Sequence, residues 1–497
     1  MKLQAILDGI ERAGNKLPNP TILFIVLCIA ILALSGISAA FSLQAVHPNN
    51  GNIIEAINLI SVEGLHRILA ESVKNFTSFA PVGTVLVAIM GIGVAEHSGL
   101  LGTLLRATVL KTPKQLLSFT VVLAGVLSSL AADTGYVVMI PLAGLVFASV
   151  GRNPLAGIAA AFAGVSGGYS ANLLIGPVDA ILAGISTEAV TLVQNDYVVS
   201  AAGNYYFMVV STIVVALVGT WVTEKIICVR LPDGDVSKSK LEPISQTDRN
   251  GLKAVAFFSF LFACLLLVGL VPESGILRDQ ETHSILRSPF ISGIVTIIAF
   301  YAAIAGIIFG RVSGRYKRSS EFVEGMEQHM ATMAGYLVLM FFAAQFVSYF
   351  SWSNLGSIIA INGAAMLQTM QLNSSILLVV FIIMAAFINL FIGSASAKWA
   401  LIAPVFVPMF LLSGITPEAT QIAYRIGDSS TNIITPLMPY FGVVVAFAQK
   451  YDKNIGIGTI IAMMLPFSIA FLFSWSILLI IWIFLGWPLG PGAGVLI

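Results

Sequence analysis

The sequence predicts an all-α polytopic membrane protein with nine transmembrane helices plus two re-entrant hairpins, arranged as an inverted-topology repeat. Three observations predict it. Of the 497 residues, 57% are hydrophobic and only 10% are charged, against about 25% charged in a soluble domain. Apolar runs of roughly 20 residues, the length that crosses a bilayer, recur along the chain. A set of small and helix-breaking residues in the first half returns in the second half at a fixed offset.

The polar N-terminus, Lys2 to Lys16, leads into Ile22–Ala40 with no cleavage site after it, so this run reads as a spanning helix and not a signal peptide. Unbroken spans fall at 20–42, 81–105, 203–227, 252–271, 289–310, 331–352 and 455–488. Two more, 154–180 and 417–447, are interrupted by Gly, Ser, Asn and Pro. The runs 115–150 and 375–412 each resemble two short helices joined by a small-residue tip, and read as hairpins that turn back at the midplane. An amphipathic stretch, Ile53 to Phe76, predicts a surface helix outside the membrane. The chain divides into an N-terminal segment (1–80), a first repeat unit (81–228), a polar cytoplasmic linker (229–250) and a second unit (251–497).

With the N-terminus in the cytoplasm, nineteen of the 25 Lys and Arg fall inside. Only Arg67, Lys74, Arg278 and Arg287 fall outside, which satisfies the positive-inside rule. Lys398 and Arg425 stay within the membrane. The three cysteines, Cys28, Cys228 and Cys264, are isolated, which excludes a disulfide framework and a Cys-x-x-Cys metal site. A net charge of +1 points to no partner class, and no basic patch marks a nucleic-acid binder. Membrane lipid is the expected surrounding.

Pro141, Asn153-Pro154 and Gly164 recur as Pro404, Thr416-Pro417 and Gly427, each at an offset of 263 residues. Tyr136 aligns with Trp399 at that offset, and Asn172 with Asn432 after a three-residue gap. The first hairpin enters from the cytoplasm and the second from outside, which makes the repeat inverted.

The two tips and the two breaks carry the chemistry. Hydroxyls, amides and unwound carbonyls offer hard oxygen ligands for a small cation. The candidates are Ser128, Ser129, Asp133, Ser166 and Asn172 in the first half, and Ser394, Ser429, Thr431 and Asn432 in the second. Na⁺ is the expected ion; carboxylates such as Asp133 or Asp428 also permit H⁺. No further cofactor is expected, and no His/Cys cluster suggests a transition metal. Helix packing is the competing role of the small residues.

Half-helix N-termini at both tips favour an anionic substrate at the midplane. Lys398 and Arg425 add full charges there, and Arg grips carboxylates bidentately. Trp399 supplies an aromatic face. Alternatives stay open: Lys398 can snorkel or pair, Trp399 can anchor an interface, and Arg425 can pair with Asp428 three residues on. Asp179 follows Gly176-Pro177-Val178 and can bind a substrate amine, help couple cations or stand as a loop carboxylate. His97, beside Glu96, reads as a bundle contact, with a proton relay as the alternative.

Ser128 to Pro141, Gly176-Pro177-Val178-Asp179, Gly393 to Trp399, Thr416-Pro417 and Tyr424 to Pro436 together resemble the AbgT family of p-aminobenzoyl-glutamate transporters over nearly the whole chain. The resemblance implies a homodimer in the bacterial inner membrane, each protomer having a scaffold part and a transport core. It implies transport of p-aminobenzoyl-glutamate or export of sulfonamide antimetabolites, by an elevator-type or other alternating-access motion. By position it marks Asp179, Ser396, Trp399, Pro417, Arg425 and Asp428 as functional residues. A dicarboxylate or citrate carrier is the alternative substrate class. A channel would need a ring of subunits around one pore, and no nucleophile–base constellation supports an enzyme.

Overall fold

Long apolar segments fold as helices because a helix pairs its own backbone N–H and C=O groups where lipid offers none. A computed structural model describes residues 20–46, 53–110, 112–129, 135–194, 196–231, 244–283, 285, 288–318, 320–370, 373–436, 438 and 440–497. In chain order the helices are α1 (Pro20–Ala40), α2 (Val62–Thr77), α3 (Ala80–His97), α4 (Leu100–Leu110), α5 (Leu117–Ser128), α6 (Ile140–Ser149), α7 (Pro154–Phe162), α8 (Pro177–Val190) and α9 (Tyr205–Val222). They continue as α10 (Gln246–Leu270), α11 (Ile294–Val312), α12 (Glu321–Thr332), α13 (Ala334–Trp352), α14 (Leu355–Thr369), α15 (Ser374–Asn389), α16 (Ala395–Leu411), α17 (Pro417–Asn432), α18 (Phe441–Gln449) and α19 (Ile457–Leu485). Among the described residues, one two-stranded antiparallel ribbon, Gln44–Val46 with Ile53–Glu55, is the only sheet.

By length and composition, six helices among the described residues suffice to cross a membrane, or seven if the bent α3–α4 pair is one span. The chain is therefore all-α and multi-pass. α1 packs on α13, and α3 packs on α11 and α12. α5 to α9 and α15 to α19 pack together as a second group, which meets the first where α3 meets α8, α4 meets α5, and α13 and α14 meet α16.

The structure departs from the sequence reading in four places. The 81–105 run is not one straight helix: Val85–His97 and Leu100–Thr108 meet at 64°. Gly99 makes the bend with φ +78°, and the Arg315 guanidinium fills the space a Cβ would take. Arg315 donates to the Ser98 carbonyl (3.1 Å) and pairs with Asp248 (2.9 Å), so a charge locks the bend. The surface helix starts at Val62, capped by Ser61, after the short ribbon. α14 was unforeseen, because its 15 residues include Asn362, Gly363 and Gln368 and never reach a spanning run. The first broken span continues past 180: its break falls between Gly168 and Gly176, and α8 runs to Val190.

The positions that recur in the sequence make corresponding structures. Asn153 and Thr416 both cap a helix that begins with proline, α7 and α17. A Cβ on Gly164 would lie 2.3 Å from the Val122 carbonyl oxygen, and one on Gly427 would lie 2.4 Å from that of Ile382. Each broken segment is thus pressed against the first arm, α5 or α15, of its own helix pair.

Candidate functional site

α17 reads Pro-Glu-Ala-Thr-Gln-Ile-Ala-Tyr-Arg-Ile-Gly-Asp-Ser-Ser-Thr-Asn, yet all sixteen residues are buried. A polar helix with no exposed face must satisfy its side chains inside the protein. It does so against α8, α15 and α16. Arg425 Nη2 donates to Asp179 Oδ1 at 2.6 Å. Lys398 Nζ from α16 pairs with Asp428 Oδ1 and donates to Asn389 Oδ1. Arg425 and Asp428, neighbours on one turn, therefore take separate long-range partners and not each other.

Asp179 is not a loop carboxylate. It is the third residue of α8, 3% exposed, and its Oδ2 accepts from the Gly176 N–H at 2.7 Å. The same carboxylate caps α8 and holds Arg425. The remaining guanidinium nitrogens, Arg425 Nε and Nη1, are buried with no hydrogen-bond partner among the described residues.

Trp399 is fully buried. Its ring stacks on Tyr424 at 4.6 Å, and Nε1 donates to Ser186 Oγ (3.0 Å) and the Leu182 carbonyl (3.2 Å). It fastens α16 to α8. Pro417 is the first residue of α17, a position that spares an N–H. Ser394 caps α16, accepting from the Ala397 N–H at 3.4 Å, and its hydroxyl lies 3.4 Å from that of Ser396.

The cation candidates gather in two groups. Asn172 Nδ2 donates to Ser129 Oγ at 3.0 Å, and the Leu173 N–H donates to Asn172 Oδ1 at 2.8 Å. Ser128 and Ser129 turn their hydroxyls onto the carbonyls of Gly125 and Val126. In the second group Asn389 Nδ2 reaches the Asp428 carbonyl (2.6 Å), Thr431 Oγ1 (2.9 Å) and Asn432 Oδ1 (2.9 Å). The hydroxyls of Ser166 and Ser429 are buried without a partner among the described residues. Asp133 and the rest of the first tip lie outside the described residues.

A cavity of about 260 Å³ lies at the tip of the second helix pair. Tyr136, Tyr169 and Tyr440 give it aromatic walls, and Ser394, Ser396 and Asn432 give it polar ones. Tyr136 stacks on Tyr440 at 4.5 Å. Tyr169 lies within electrostatic reach of Asp428, Arg425 and Asp179. On the far side of the same tip, Ser394 and Ser396 also line a cavity of about 630 Å³ with Thr21, Tyr336 and Leu339 of α1 and α13. The tip of the second helix pair is therefore a wall between two spaces. His97 lies elsewhere: its Nδ1 is 3.1 Å from the Tyr316 hydroxyl, and the adjacent Glu96 pairs with His329 at 3.0 Å, joining α3 to α12 and the loop before it.

Sequence reasoning missed Asn389, which ties the lysine to α17. The signal was there: it is the lone amide closing the apolar helix Ser374–Asn389. It also missed Gln421, whose Oε1 accepts from Ser186 (2.7 Å) behind Trp399, and Glu418, which accepts from the Tyr197 hydroxyl at 2.9 Å.

This architecture has known counterparts. Residues 5–497 match the model of the "AbgT putative transporter family". The p-aminobenzoyl-glutamate transport protein of Escherichia coli is 38% identical over 484 residues, 97% of this chain and 95% of that protein. The crystal structure of the Alcanivorax borkumensis YdaH transporter superposes with a TM-score of 0.92 at 50% identity, over 95% of this chain and all of that one. Neisseria gonorrhoeae MtrF, whose structure is described as illuminating a class of antimetabolite efflux pumps, superposes with a TM-score of 0.93 at 46% identity, over 98% of this chain and all of that one. With its motifs, its fold and its full length matched, the chain belongs to the AbgT family and is a membrane transporter.

Proposed function

We propose that this protein is a cation-coupled secondary transporter of small aromatic carboxylates, with p-aminobenzoyl-glutamate or sulfonamide-like antimetabolites as its cargo. The observation that carries this reading is the Arg425 guanidinium. It is buried and held by Asp179 through one nitrogen, and the other two, Nε and Nη1, have no partner among the described residues. A substrate carboxylate has the charge to accept from these open N–H groups. The cavity lined by Tyr136, Tyr169 and Tyr440 suits a benzoyl ring, and Ser394, Ser396 and Asn432 suit polar groups on the cargo. Asp179 and Asp428 fix the two basic residues, Lys398 and Trp399 hold α16 against α17 and α8, and Pro417 sets the start of α17. The E. coli relative named for p-aminobenzoyl-glutamate transport and the efflux-pump description of MtrF support this substrate class.

In this reading the chain has nine spans and two re-entrant hairpins, α5–α6 and α15–α16, as an inverted repeat. It sits in a bacterial inner membrane with a cytoplasmic N-terminus, as a homodimer. α5 to α9 with α15 to α19 form the moving core, and the remaining helices the scaffold. Movement of the core would carry the tip of α15–α16 past α1 and α13, an elevator-type exchange of access. The coupling ion is Na⁺ or H⁺, and the two cation-binding frames lie among Ser128, Ser129, Asp133, Ser166 and Asn172, and among Ser394, Ser429, Thr431 and Asn432.

Calorimetric titration of purified protein tests the substrate assignment. p-Aminobenzoyl-glutamate is expected to bind, its diester is expected to bind at least tenfold more weakly, and Arg425→Met is expected to erase that difference. Succinate competing as well as p-aminobenzoyl-glutamate would favour a dicarboxylate carrier instead.

A further inference from the structure

Resting on the cation-binding reading of the two repeats, we propose that the Lys398 ammonium is a tethered cation. It occupies the ion site of the second repeat, so that only the first repeat takes up a mobile ion.

The two repeats keep the same oxygen frame. Ser129 and Asn389 each stand at the end of the first arm of a helix pair, 260 residues apart. Asn172 and Asn432 stand at the two breaks with the same spacing. Asn172 is bonded to Ser129 at 3.0 Å, and Asn389 to Asn432 at 2.9 Å, so the pairing is conserved across the repeat. Ser166 and Ser429, 263 residues apart, both bury a hydroxyl that has no partner among the described residues. A buried polar atom left open in this way, in matching places, marks a ligand position.

The repeats differ in what stands inside that frame. At 398 the second repeat has a lysine, whose counterpart 263 residues earlier is Gly135; Asp428 has Val165 as its counterpart. Lys398 is fully buried, and its Nζ is taken by Asp428 Oδ1 and Asn389 Oδ1. Asn389 is aimed at the lysine because its own amide donates to the Asp428 carbonyl, Thr431 and Asn432. An ammonium is a compact unit charge with three donors, and so presents to oxygen ligands much what a monovalent metal ion presents. Gly135 has no side chain to do this in the first repeat. A Cβ at Gly135 would lie 2.4 Å from Ser128 Oγ. There the open Ser166 hydroxyl and the spare lone pairs of Ser128 and Ser129, beside Asn172, are left to an ion from solution. A tethered charge cannot leave with the cargo, so these two sites together exchange one ion per cycle and not two.

Thermal unfolding of the purified full-length protein in NaCl against choline chloride, at equal ionic strength, tests this. Wild type is expected to be stabilised by Na⁺ with a Hill coefficient near one, and Ser129→Ala/Asn172→Ala to lose the response. Lys398→Ala empties the second site beside a buried Asp428. It is expected to lose stability in choline, to recover in NaCl and to raise the Hill coefficient toward two. Lys398→Ala/Asp428→Asn is expected to show no such recovery. A folded Lys398→Ala with the wild-type sodium response would overturn the proposal. So would a wild-type response that survives Ser129→Ala/Asn172→Ala, a result that decides the matter even if Lys398→Ala does not fold. A wild type indifferent to Na⁺ with a Lys398→Ala that gains a response would support the tethered cation while removing Na⁺ from the coupling reading.

Discussion

The two repeats share a backbone plan and differ in charge. Around the first tip and break, the described side chains include Ser128, Ser129, Ser166 and Asn172, all neutral. Around the second are Lys398, Arg425 and Asp428, and Arg425 reaches across to Asp179 in the first. The frame is symmetric, so it can be set by packing: glycines at 164 and 427, capped prolines at 154 and 417. The charges are not symmetric, so they answer to what is bound. An ion can be held by neutral oxygens, whereas a carboxylate needs a cation. In the proposed reading substrate recognition belongs to the second repeat, and Asp179 with Arg425 is an ion pair that joins the two.

Substitutions break this comparison in graded ways. Arg425→Ala has the largest expected effect. It leaves Asp179 buried and unpaired, at a cost of about 3–5 kcal/mol, and removes the carboxylate grip, so stability and transport both fall. Asp179→Ala/Arg425→Ala should regain most of the unfolding temperature in detergent without regaining transport. Equal unfolding temperatures for the single and double variants would show that the pair holds nothing together.

Gly164→Ala and Gly427→Ala each force a methyl against a carbonyl oxygen at 2.3–2.4 Å, for an expected loss of roughly 1–3 kcal/mol apiece. Similar losses in chemical denaturation would sharpen the structural correspondence of the repeats; a loss at one glycine alone would break it. Trp399→Phe keeps the ring that stacks on Tyr424 but gives up the hydrogen bonds to Ser186 and Leu182. The expected cost is about 1 kcal/mol, one buried hydrogen bond's worth, with substrate affinity preserved. A tenfold loss of affinity would instead place the indole in contact with cargo.

The smallest effect on stability is expected at the open serines. Ser166→Ala and Ser429→Ala remove hydroxyls that bond to nothing described, so in sodium-free buffer each should change stability by less than about 0.5 kcal/mol. The sodium response separates them: it should weaken in Ser166→Ala and stay unchanged in Ser429→Ala.

Much of the fold was legible in the sequence because apolar length and Gly/Pro interruption are local signals. They placed both helix pairs and the start of both broken segments to within a few residues, though the first broken segment runs on to Val190. The bend at Gly99 was not legible, since one glycine in an apolar run becomes a hinge only when Arg315, over 200 residues away, fills its flank. Site membership was legible for Arg425, Lys398 and Asp428, because charge in an apolar setting is conspicuous. Their partners were not. On sequence, Arg425 has Asp428 one turn away; in the structure it chooses Asp179, 246 residues distant. The helix start at Pro177 brings that carboxylate to the guanidinium, and only tertiary packing decides this.

The central claim is that Arg425 grips the carboxylate of an aromatic cargo whose movement is tied to a cation. Flux of labelled p-aminobenzoyl-glutamate in proteoliposomes, with Na⁺ and pH gradients imposed separately, tests it most directly. Saturable flux that follows one of the two gradients in wild type and vanishes in Arg425→Met is the predicted result. Flux indifferent to both gradients, or undiminished in Arg425→Met, would contradict it.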